Sequence, residues 1–159
     1  LKTMLSAYAT ALGTASSAAT IPVTLECTLK NDVNPGVASF VVPLCATIHL
    51  AGSTMKIVGF AMAILYFHGV PIDFFTFVGF IFMLGIAMIA APGVPGGAIK
   101  AAIGIIQSSL GFNEQMIGLM ITLYIAVDSF GTACNVTGDG AIAMVVDRIF
   151  AKQTQSAKQ

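Results

Sequence analysis

Asp128-Ser129-Phe130-Gly131-Thr132-Ala133-Cys134-Asn135-Val136-Thr137-Gly138-Asp139 follows a run, residues 115–127, that contains no charged residue. From Asp128, the residues Thr132, Asn135 and Asp139 stand at offsets of 4, 7 and 11, the spacing that puts all four on one helical face. Everything around this stripe is apolar. A carboxylate near the centre of a bilayer costs at least about 2.5 kcal/mol, so two of them require a cation, a proton or an ammonium group as partner. Asn-x-x-Gly-Asp, here residues 135–139, offers the hard oxygen ligands that alkali and alkaline-earth cations take. Asn135-Val136-Thr137 also matches a glycosylation sequon, but a site inside an apolar helix is not a surface loop.

Composition supports a membrane setting. The apolar share of 57% against 9% charged residues leaves too little polar surface for a water-soluble domain of 159 residues. Residues 74–99 carry no charge either, and about 20 uncharged apolar residues are what a crossing of roughly 30 Å demands of a helix. The formal net charge is zero and there is no basic run, which excludes nucleic acid and a polybasic lipid anchor as partners. Cys27, Cys45 and Cys134 stand singly, without CxxC spacing, and read as small core residues rather than disulfide or zinc ligands. The chain opens inside an apolar segment and reads as the C-terminal part of a longer protein. Its polar end, with Arg148 and Lys152, reads as a C-terminal tail over residues 152–159 on the cytoplasmic side.

Glycine, proline and small polar residues divide the rest into four helical stretches: 1–31, 36–68, 72–109 and 113–151. The first is interrupted at Thr14-Ala15-Ser16-Ser17-Ala18-Ala19-Thr20-Ile21-Pro22. The third is interrupted at Ala91-Pro92-Gly93-Val94-Pro95-Gly96-Gly97. Arms of about 13 to 18 residues reach only about 20 Å at their shortest, so two re-entrant hairpins fit better than four full crossings. Broken backbone at membrane depth must be buried in protein or line a polar cavity, and paired interruptions point to a transporter's ligand site. The alternative is one kinked helix and one ordinary loop.

Ser16 and Ser17, with Thr14 and Thr20, offer hydroxyls and the free amides of a half-helix N-terminus, which suits a carboxylate; weak helix formers in a turn are the plain alternative. In the second stretch His49, Ser53 and Lys56 lie on one helical face. Lys56 is the single charge between Val33 and Ile72; it either pairs with Asp128 or Asp139 or snorkels to the interface. A histidine at position 49, His49, permits proton coupling. His68 reads as interfacial.

These motifs carry a resemblance over essentially the whole chain. The serine-rich segment resembles the tip of the first re-entrant hairpin of the dicarboxylate/amino acid:cation symporter family. The segment containing Gly93-Val94-Pro95-Gly96 resembles the second tip, the extracellular gate. Residues 128–139 look like the signature of the final helix. The resemblance implies an all-α membrane protein: two re-entrant hairpins and two broken transmembrane helices of an elevator-type transport domain. It further implies a homotrimer in the plasma membrane, with six preceding helices.

It implies that Asp128 binds a substrate's amino group and Asn135 its carboxylate, with Ser16, Ser17, Ser53, Val94 and Thr132 lining the same site. It implies one sodium site at Asn135 and Asp139 with backbone carbonyls near Cys45, beside His49. A second would be formed by Thr47 and the carbonyls of Met88, Ile89 and Ala91. The chain departs from the family in three places. His49-Leu50-Ala51-Gly52-Ser53 stands where Asn-Met-Asp-Gly-Thr is usual, so the carboxylate of a third sodium site is missing at Ala51. Gly131 replaces the arginine that holds a dicarboxylate's second carboxylate. The second tip is one residue short. Lys56 is a possible charge substitute for either loss.

The resulting expectation is symport of a small amino acid, neutral in preference to acidic, coupled to Na+ or H+ without other cofactor. Alternatives are acidic or dicarboxylate symport with Lys56 in place of the arginine, or a non-transporting truncated paralogue. No nucleophile and base pair is recognisable, which speaks against an enzyme.

Overall fold

The computed structural model describes residues 2–156, with side chains through residue 153. A single 3-10 turn, Lys2–Met4, leads into eight helices. They are α1 (Leu5–Thr14), α2 (Ser17–Leu29), α3 (Pro35–Ile48), α4 (Ala51–Phe67), α5 (Phe74–Ile89), α6 (Gly97–Leu110), α7 (Glu114–Ala126) and α8 (Asp128–Ser156). The chain is all-α among the described residues, as the sequence implies.

The helices come in pairs, and local chemistry sets each boundary. Ala15 takes a left-handed conformation at φ 48° and ends α1; one residue later the Ser16 hydroxyl accepts the Ala19 amide and starts α2. The first break is therefore only Ala15 and Ser16, shorter than the sequence suggests. Pro22 lies inside α2 and Pro43 inside α3. Each removes one backbone donor, and neither stops its helix. Asn34 caps α3, with Pro35 in the first turn where its missing N–H is not needed. Asp73 caps α5 through the Thr76 amide, and Asn113 caps α7 through the Met116 amide. Gly111, at φ 68°, closes α6.

α3 and α4 together form a stretch, Pro35–Phe67, long and apolar enough to cross a membrane, interrupted at His49 and Leu50. α7 and α8 form a second candidate span bent by 59°. The hairpin helices are shorter: α1 has 10 residues and α5 has 16, about 15 and 24 Å at 1.5 Å per residue. The last helix continues past Ala151 as far as Ser156, because nothing in Lys152-Gln153-Thr154 stops a helix. Of the expected tail, residues 157–159 lie outside the described residues.

Two lobes flank α8. One is built from α4, α5, α6 and α7 around Ile57, Ile64, Phe80, Leu84, Ile106 and Met120. The other packs α1, α2 and α3 on α8 through small residues such as Ala7, Ala11, Ala38 and Ala143. Small side chains let helices approach closely where apolar surroundings supply no hydrophobic drive. Buried polar groups on α2 are satisfied internally: the Thr20, Thr24 and Thr28 hydroxyls donate to the carbonyls of Ser16, Thr20 and Thr24. Outward, large apolar side chains including Phe40, Tyr66, Phe67, Phe75 and Phe82 are exposed.

Candidate functional site

The stripe read from the sequence lies at the meeting point of every interruption. Asp128, Thr132, Asn135 and Asp139 are all buried on α8. Facing them are the α1–α2 break, the α3–α4 break and the α5–α6 turn. A cavity of about 10 Å³ remains between these elements, lined by Ser17, Ser53, Val94, Asp128, Thr132 and Asn135 among others. That is room for about one water molecule. Larger grooves, such as the 370 Å³ furrow along Met4, Leu5, Tyr8, Cys134 and Thr137, are almost wholly apolar and lie outside this convergence.

The two hairpin tips are pinned together. The Gly93 carbonyl accepts from the Ser16 hydroxyl at 2.8 Å and from the Ala18 amide at 3.0 Å. A Cβ on Gly93 would collide with the Ala46 carbonyl oxygen, so glycine is required for the second tip to seat against α3. Of the amides expected to receive an anion at the start of α2, Ala18 is taken by Gly93 and Ala19 by the Ser16 cap.

Asn135 fastens α8 to the α3–α4 break. Its Oδ1 accepts the Gly52 amide at 2.8 Å and its Nδ2 donates to the Ser53 hydroxyl at 3.2 Å. Leu50, at the cap position of α4, makes no side-chain cap, and Asn135 satisfies the exposed first turn from another helix.

Two charged pairs complete the site. Lys56 donates to Asp128 Oδ1 at 3.0 Å, which resolves the choice between partners that the sequence leaves open. The other carboxylate oxygen accepts the Gly96 amide at 2.9 Å. Further along, His49 Nδ1 lies 2.8 Å from Asp139 Oδ1. Asp139 Oδ2 is buried and, among the described residues, has no hydrogen-bond partner. Glycine makes room for both bases: a Cβ on Gly131 would lie 2.6 Å from Lys56 Nζ, and one on Gly138 would run into the His49 ring.

The remaining expected ligands are placed less tightly. Cys45 is buried, and its carbonyl accepts the His49 amide. The Thr47 hydroxyl turns back to the Leu44 carbonyl, and no hydrogen bond joins it to the turn at Met88 and Ala91 among the described residues. Met88 and Ala91 are buried, whereas Ile89 points outward. Tyr124 and Ala98 also line the site and are not singled out by the sequence, while Pro92 and Gly96, legible there only as part of the second tip, line or close it too. Tyr124 stands four residues before Asp128 in apolar sequence, a spacing that in retrospect puts it on the stripe's face.

Interrupted hairpins and a broken helix converging on buried carboxylates define an integral membrane protein of the transporter class. The chain belongs to the sodium:dicarboxylate symporter family, whose sequence pattern matches residues 1–149. It is 31% identical to excitatory amino acid transporter 5 of Homo sapiens over 163 aligned residues, covering 99% of this chain and 29% of that protein. Neutral amino acid transporter B(0) of Mus musculus is 30% identical, over 88% of the chain and 26% of the relative. A serine/threonine transporter of Acinetobacter baumannii is 32% identical, over 87% of the chain and 35% of the relative. The chain thus spans about a third or less of the length of these relatives. The family and these relatives are transporters, not enzymes.

Proposed function

We propose that this chain is the cargo- and ion-binding part of a symporter that couples Na+ or H+ to uptake of a small amino acid, or a carboxylate of that size, with a neutral side chain. The observation that carries this reading is the convergence of both hairpin tips and the α3–α4 break on Asp128, Asn135 and Asp139. Asn135 supplies an amide for the cargo's carboxylate, and the tip around Gly93 acts as the gate. A cavity of about 10 Å³ holds no amino acid, so the gate must lift for cargo to enter. Asp139, with its free buried oxygen, is the cation ligand, and Cys45 and Asn135 stand close by. The second cation site, at Thr47 and the carbonyls of Met88 to Ala91, rests on the family resemblance. So do elevator-type movement, assembly as a homotrimer and a cytoplasmic C-terminus.

Preference for a neutral side chain follows from Gly131 and Lys56. Gly131 offers no guanidinium for a second carboxylate. The Lys56 ammonium faces Asp128 Oδ1 and the carbonyls of Val127 and Asp128, not the open side of the cavity, which counts against its replacing the arginine. The relatives' names include a neutral amino acid transporter and a serine/threonine transporter, in keeping with this preference. Uptake of labelled alanine, serine, aspartate, lactate and pyruvate into proteoliposomes, with sodium and pH gradients imposed separately, tests the reading. Indifference to every gradient and every cargo refutes it.

A further inference from the structure

We propose that the cargo of this site bears a carboxylate but no ammonium group, because Lys56 delivers the ammonium to Asp128 from within the protein. This rests on the symport reading above and, of the two cargoes named there, selects the carboxylate without an amino group: small 2-hydroxy or 2-oxo acids.

Both Asp128 oxygens are already engaged within the protein. Oδ1 is paired with Lys56 Nζ at 3.0 Å and Oδ2 with the Gly96 amide at 2.9 Å. The ammonium is as fully served: its three donors meet Asp128 Oδ1 and the carbonyls of Asp128 and Val127, the last two at 3.3 Å. The same nitrogen lies 4.0 Å from the centre of the Tyr124 ring, a cation–π contact. Carboxylate, two carbonyls and an aromatic face form a complete receptor for a primary ammonium, and a protein side chain occupies it.

The surrounding structure is shaped for that side chain. A Cβ at position 131 would lie 2.6 Å from Nζ and closer still to Cε, so the absence of a side chain on Gly131 is what admits Lys56. The bend of 59° at Val127 turns out the carbonyls that the ammonium takes. Lys56 is only 13% exposed, and Asp128 9%. An amino acid would have to evict Lys56 and leave its charge buried without a partner, one of the costliest changes a protein interior can suffer.

Besides apolar groups such as Leu50, Val94 and Ala98, the lining offers uncharged hydrogen-bonding groups: the hydroxyls of Ser17, Ser53 and Thr132 and the Asn135 amide. Such groups suit a carboxylate and a neighbouring hydroxyl or keto oxygen. They place no demand on the cargo for positive charge.

The test uses the full gene product, purified and in proteoliposomes, with L-lactate, pyruvate, L-alanine and L-serine as probes. Lactate or pyruvate is expected to raise the Tm of the wild type and to be accumulated down an ion gradient, with alanine and serine at least tenfold weaker. Lys56→Met, which frees Asp128, is expected to reverse that order. Wild-type protein that binds alanine or serine as tightly as lactate and pyruvate overturns the proposal, as does stabilisation by none of the four acids. Since Lys56→Met can fail to fold, the wild-type comparison decides alone; a folded Lys56→Met with unchanged order also overturns it. The two readings fail differently. Lactate or pyruvate stabilisation without gradient-driven uptake of any acid removes symport and leaves the cargo class standing. Gradient-driven uptake of alanine or serine by the wild type at least as strong as that of lactate and pyruvate does the reverse.

Discussion

Gly52 on α4 and Gly131 on α8 cross so closely that a Cβ on Gly52 would lie 2.6 Å from the Gly131 carbonyl oxygen. The same crossing holds the Gly52 amide on Asn135 Oδ1 at 2.8 Å. Backbone contact at this point sets the distance between the α3–α4 break and the polar face of α8.

Gly52→Ala is therefore expected to force the two helices apart, break the Asn135 contact and destabilise the protein by about 1–3 kcal/mol. Gly59→Ala, on the same helix but facing open space, is the control and is expected to stay within about 0.5 kcal/mol of wild type. Thermal unfolding in one detergent compares them. Equal losses would show that the crossing does not matter.

Ser16→Ala removes both the cap of α2 and the 2.8 Å bond to Gly93. A helix cap contributes typically about 1 kcal/mol, as does a net hydrogen bond, so the second tip should open more readily by about 1–2 kcal/mol. Hydrogen exchange of residues 91–97 should quicken by roughly tenfold. Unchanged protection there would mean that the tips are not held through this contact.

Asp139→Asn removes the charge on the one buried side-chain oxygen that lacks a partner among the described residues. The apparent affinity for the coupling cation should fall at least tenfold, on the order of 1.4 kcal/mol, while alanine-scale changes on the outer surface leave it unaltered. A cation titration of ligand-dependent Tm reads this directly. An unaltered cation midpoint would move the ion site elsewhere.

Asp73, at the water-exposed start of α5, makes a pH prediction. The Thr76 amide, with the Thr76 hydroxyl adding to it, holds the Asp73 carboxyl below its ordinary range. A carboxyl depressed in the folded state stabilises the helix start above its unfolded pKa, near 4, and that support is lost as pH falls through the lower folded value. Protection of the Thr76 amide, corrected for intrinsic exchange, should be flat from pH 7 to about 5 and decline below about 4. Asp73→Ala should remove the decline.

Much of this arrangement is legible in the sequence, and the exceptions share a cause. The stripe at offsets 4, 7 and 11 is legible because a charged face in apolar sequence has one physical explanation, and the breaks are legible because glycine, proline and small polar residues gather there. The bend at Val127 is not, since neither glycine nor proline marks it. It lies where the Lys56 ammonium takes the carbonyls of Val127 and Asp128, a contact made across 71 and 72 residues. Pro22, read as part of the first break, misleads in the other direction, because packing of α2 against α8 outweighs one lost hydrogen bond. Gly131 reads as a missing side chain in the sequence, and Gly138 only as part of the Asn-x-x-Gly-Asp run. In three dimensions each is the space that a partner on α4 or at the α3–α4 break fills.

The central claim, that cargo and cation move together through this site, is tested most directly by the equilibrium accumulation ratio in proteoliposomes as the imposed ion gradient is varied. Symport predicts that the logarithm of the cargo ratio rises linearly with the logarithm of the cation ratio, with a slope of about one or more and with loss of slope in Asp139→Asn. A slope of zero for both sodium and protons would contradict it.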